Sequence, residues 1–63
     1  MITIKTASAT ESFEFDSKYG TQENQAIHLL EKQFPLVAFS NVVVNGIVKA
    51  WKADNNSVEA TWN

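Results

Sequence analysis

One histidine, two tryptophans and a loose group of carboxylates are the residues of this 63-residue chain whose types could carry chemistry. His28 is the acid–base candidate, because imidazole changes charge near neutral pH. A general base also needs a positioning partner and a pocket. The helix wheel sets His28 opposite the apolar stripe of its own helix, in solvent, with neither. Glu11, Glu14 and Asp16 lie close in sequence, and paired carboxylates can cleave glycosides when a cleft holds them across a sugar. Glu11 and Glu14 differ in strand parity and project to opposite sides, and so short a chain needs most of its residues for a core. Trp51 and Trp62 could stack nucleic-acid bases. They share a face with Val58 and Ala60, however, so core packing is the expectation; an exposed Trp62 would instead suit an interface anchor. The sequence contains no glycine-rich phosphate loop, nucleophile elbow, zinc-binding helix or calcium loop. It also has no cysteine, which excludes disulfides, thiolate metal sites and thiol nucleophiles. The expectation is therefore a protein that is not an enzyme, with no catalytic, cofactor-binding or metal-binding residues.

The charges narrow the partners. Five lysines and no arginine stand against seven acidic residues, for a net charge of −2. The lysines are scattered, whereas nucleic-acid binding needs a basic patch and, for base readout, favours the arginine fork. No nucleic-acid partner is expected. The acidic residues are too few and too dispersed to mimic DNA. No apolar run is long enough to span a bilayer, and the N-terminal residues lack the pattern of a secretory signal. A cytoplasmic location away from membranes is the expectation.

Hydropathy patterning supplies the elements. Residues 2–6 (ITIKT) and 11–15 (ESFEF) alternate apolar and polar, the signature of half-buried strands. A turn at Ser8-Ala9 sets Ile4 opposite Phe13 and Ile2 opposite Phe15, leaving Thr3, Lys5, Ser12 and Glu14 on a polar far face. Thr21 reads as a helix N-cap with Glu23 in the first turn. Ala26, Ile27, Leu30 and Phe34 then recur at helical spacing until Pro35 ends the helix at Phe34. The segment 36–44, the turn Asn45-Gly46, residues 47–53, a loop at Asn55-Asn56 and residues 58–62 form a three-stranded meander, with Lys52 opposite Glu59. Residues 1–63 thus form one α+β domain, β-β-α-β-β-β, with one helix packed on one face of a largely antiparallel sheet. Strand order is open, and a β-grasp-like arrangement is one option.

The meander has more apolar side chains than one helix can cover. A regular two-residue hairpin at Asn45-Gly46 puts Val42, Val44, Ile47 and Trp51 on the helix side. Val37, Phe39, Val43, Val48 and Ala50 then face away. Strands apolar on both sides are normally buried on both sides, so Phe39, Val43, Val48 and Ala50 become the candidate contacts for another protein or for a second copy of the chain. The competing arrangement is a bulge near Ser40-Asn41, which would turn part of the strand over and tuck Phe39 into the core.

The segment Ile47-Val48-Lys49-Ala50-Trp51-Lys52-Ala53-Asp54, running on to Val58-Glu59-Ala60, resembles the C-terminal part of Dmd-type phage antitoxins, small proteins that bind and block bacterial ribonuclease toxins. The resemblance implies a small acidic chain that works by docking. Two functions are therefore expected in competition: a stoichiometric protein-binding module of the inhibitor or antitoxin type, or a structural subunit that forms a homodimer through its uncovered sheet face.

Overall fold

The computed structural model covers residues 1–63 and contains five strands and one α-helix. In chain order they are β1 (Ile2–Thr6), β2 (Thr10–Phe13), a 3-10 turn (Ser17–Tyr19), α1 (Gln22–Gln33), β3 (Phe39–Val44), β4 (Ile47–Ala53) and β5 (Val58–Trp62). The sheet order is β2-β1-β5-β4-β3, and every neighbouring pair is antiparallel. The α+β architecture is the one expected. The all-antiparallel order differs from a β-grasp-like one: the chain leaves α1 for the far edge, and the meander then brings β5 back beside β1.

Thr6 sets the register of the first hairpin. Its backbone N–H donates to the Ala9 carbonyl at 2.9 Å, and its hydroxyl oxygen accepts from the Ala9 N–H at 3.1 Å. A threonine side chain closing its own turn in this way competes well with continued strand. The turn therefore falls at Ala7-Ser8, and Ile2 pairs with Phe13 and Ile4 with Glu11. This is two residues away from the expected pairing, so the faces are preserved while the partners change. Phe15, expected opposite Ile2, lies beyond β2 and is exposed. Gln25 explains why β2 stops early. Its buried side chain accepts from the Asp16 N–H at 2.8 Å and donates to the Glu14 carbonyl at 3.1 Å, which draws that segment toward the helix.

The helix begins as its sequence dictates. The Thr21 hydroxyl accepts from the Asn24 N–H at 3.1 Å, and the last helical residue precedes Phe34, whose φ of −132° has left helical geometry ahead of Pro35. The helix packs against β1, β4 and β5 but not β3. Ile2, Ile4, Ala26, Leu30, Ala53, Val58 and Ala60 form the buried core, with Phe13, Trp51 and Trp62 packed around it. Both tryptophans are thus core-associated, as expected. The Trp51 indole N–H donates to the Glu23 carbonyl at 3.0 Å, which ties β4 to the first turn of α1. Asn55-Asn56 forms the last turn, and Lys52 pairs with Glu59.

Candidate protein-docking site

The second hairpin closes at Asn45-Gly46, whose φ values of 53° and 78° are both positive, as a tight two-residue turn requires. Val44 pairs with Ile47 and Val43 with Val48. One step further the register shifts, and Val42 pairs with Ala50. The extra residue is Lys49, an exposed side chain. A bulge inserts one residue and so reverses the parity of everything beyond it on that strand. Phe39, opposite Ala53, consequently packs against the core instead of facing away. Strand alternation then places Asn41, Val43 and Val48 on the helix side with Phe39, and Ser40, Val42, Val44, Ile47 and Ala50 on the open side. This corrects the face assignment read from a regular hairpin. The bulge falls between Val42 and Val43, not at Ser40-Asn41, because Lys49 on β4 is the additional residue.

The bulge does not rescue the rest of the hairpin. Pairing of β4 with β5 ends at Ala50 and Thr61, so Ile47, Val48 and Lys49 continue with β3 alone. The hairpin therefore projects past the helix-covered part of the sheet as a two-stranded arm. Val43 is 53% exposed, Val44 48% and Ile47 57%, and Val48 is half-buried. Aliphatic side chains occupy both sides of an arm that no helix covers. Of the four candidate contacts, Val43 is accessible and Val48 partly so. Phe39 is half-buried on the core, and Ala50 is 5% exposed, sheltered on the open face between β5 and β3.

β3 is also an edge strand, with β4 as its sole neighbour. The Asp54 N–H donates to the Ala38 carbonyl at 3.0 Å, which sets the ladder's phase. In an antiparallel ladder inward and outward residues alternate, so Ser40, Val42 and Val44 bond to β4 while the backbone groups of Phe39, Asn41 and Val43 point outward. Natural edges are usually blunted by charge, proline or shortness. The opposite edge, β2, follows that rule: it has four residues and contains Glu11. β3 has six residues and no charge, within an uncharged run from Gln33 to Val48. Leu36, just ahead of it, is 98% exposed.

The residues considered for catalysis do not assemble. His28 is exposed, its Nδ1 lies 2.8 Å from the Asn24 carbonyl, and its ring meets Tyr19 at 5.4 Å. Asp16 caps the 3-10 turn and pairs with Lys18 at 3.7 Å. The larger of two surface clefts, about 430 Å³, lies between the β1–β2 turn, Phe34 and Val58, and Glu11 is its one ionisable side chain. Neither cleft includes His28. No helix is long and apolar enough to cross a membrane.

Two features escaped sequence reasoning. Gln25 is buried beside the helix stripe, and nothing in its residue type marks it for the core. The projection of the arm depends on β5 ending sooner than β4, and only strand order shows which strands are neighbours. No protein-family model, curated protein or solved structure matches the chain.

Proposed function

We propose that this chain is a non-catalytic protein-docking module whose β3–β4 arm engages the surface of another protein, acting stoichiometrically as an inhibitor or antitoxin does. The observation that carries this reading is the arm itself: Val43, Val44 and Ile47 are each about half exposed on a hairpin that leaves the sheet. An isolated two-stranded hairpin is marginal in water, and clustered exposed apolar side chains mark interaction sites. Aliphatic groups on a projecting strand pair suit insertion into an apolar groove, with the outer strand available for backbone pairing.

The test compares wild type with Ile47→Lys and Val43→Lys as bait in cells of the native host. A target bound by wild type is purified and titrated by calorimetry. The reading expects 1:1 binding that both variants weaken while keeping the wild-type far-ultraviolet circular dichroism. A target held equally well by both folded variants would remove the arm from the docking surface.

A further inference from the structure

We propose that in the free protein the β3 edge of the arm is covered by a second copy of the chain, through two-fold antiparallel β3–β3 pairing centred on Asn41. The inference rests on reading the arm as a docking surface and names its occupant before any target arrives.

The outward groups of β3 belong to Phe39, Asn41 and Val43, spaced evenly about Asn41. A two-fold axis at Asn41 pairs Asn41 with the second copy's Asn41 and Phe39 with the second copy's Val43. Every outward N–H and C=O of both strands then finds a partner, and no other symmetric register uses all of them. The axis stands perpendicular to the sheet, so residues keep their faces and both helices lie on one side of a ten-stranded sheet.

The side chains agree. Leu36 and Gly46 lie at equal distances in sequence on either side of Asn41. Antiparallel pairing sets each arm tip at the end of the contact where the second copy's chain enters β3, the end that carries Leu36, which is 98% exposed in the single chain. An isologous contact needs this arrangement, one patch matched to another on the same molecule and reciprocated across the axis. Phe39 meets Val43 on the helix side, and Ser40 meets Val42 on the open side. Charge is permissive as well: although the chain carries −2, the run from Gln33 to Val48 is uncharged, so no like charges are opposed. Assembly stops at two copies, because the edges left free are the short, Glu11-bearing β2 strands.

The dimer is weak by its size. If each copy buried a tenth of its 4264 Å² surface, the total would be about 850 Å², below the roughly 1,200 Å² that bounds small, transient interfaces. Such a dimer occupies the β3 edge and yields it to a target that binds more tightly.

The test is sedimentation equilibrium from about 5 µM to about 1 mM, concentrations that bracket a weak association. The expected mass rises from 7.0 kDa toward twice that value and no further. Asn41→Lys, which opposes two like charges at the axis, is expected to raise the dimer Kd about fivefold while keeping wild-type circular dichroism. An equimolar mixture of Asn41→Lys and Asn41→Asp is expected to regain the dimer. A wild-type chain at 7.0 kDa throughout overturns the proposal, as does a mass climbing beyond two copies. A dimer indifferent to Asn41→Lys, or variants that do not recover on mixing, overturns it too. These measurements use the isolated chain, so their failure leaves target docking to be judged by its own titration.

Discussion

Val43→Lys separates an arm from a core, because the two roles predict different costs in two assays. Val43 is 53% exposed in the single chain. Full burial of valine is worth about 2 kcal/mol, so about half of that, ~1 kcal/mol, is all the fold can lose by truncating its apolar contact. Cross-strand packing of Val43 on the second copy's Phe39 is worth up to ~1 kcal/mol in each of the two pairs, or up to about 2 kcal/mol per dimer, which is roughly thirtyfold in Kd. Urea unfolding at about 5 µM, where the single chain dominates, should show a midpoint lowered by the equivalent of ~1 kcal/mol at unchanged slope. Sedimentation at high concentration should show the variant largely monomeric. A loss of about 3 kcal/mol in the dilute chain would mean that Val43 is enclosed by its own polypeptide. An unchanged Kd would exclude it from the contact.

Leu30 is fully buried at the centre of the helix–sheet contact, and Leu30→Ala should cost about 2–5 kcal/mol in thermal or urea unfolding. Against the roughly 3–9 kcal/mol expected of a chain this long, that leaves a partly unfolded population, and a loss under ~1 kcal/mol would mean the helix is not packed there. Gln25→Ala strips partners from the Asp16 N–H and the Glu14 carbonyl, so about 1–3 kcal/mol and faster tryptic cleavage after Lys18 are expected. Unchanged proteolysis would show that the segment is held by something else. Gly46→Ala meets no atom within 4 Å, so its cost is the strain at φ +78° alone, about 1–2 kcal/mol by unfolding. A much larger loss would show crowding at the arm tip.

Much of the fold was legible because local signals agreed with one another. Thr21, the Ala26–Leu30 stripe and Pro35 bound the helix to within a residue, and Asn45-Gly46 and Asn55-Asn56 placed both turns of the meander. The first hairpin was misregistered by two residues because the Thr6 hydroxyl, not the hydrophobic pattern, chooses the turn. Patterning fixes only parity, and a shift of two residues preserves parity. The second hairpin failed differently. Lys49 is an ordinary strand residue by type, and nothing about it announces a bulge, yet this one insertion moves Phe39 onto the core. The surplus of apolar side chains was readable in the sequence, whereas its location on a projecting arm required the strand order. That surplus is shared among Val43, Val44 and Ile47 on both sides of the arm, rather than lying on one uncovered face.

Amide hydrogen exchange along β3, followed residue by residue at two concentrations, probes the free edge itself. In dilute solution the N–H groups of Asn41 and Val43 should exchange fast while those of Ser40 and Val42, bonded to β4, stay protected. At about 1 mM, where a weak dimer is populated, Asn41 and Val43 should slow by about tenfold and Ser40 and Val42 should change little. Equal exchange of Asn41 and Val43 at both concentrations would show that the edge remains open, and the second copy would have no place there.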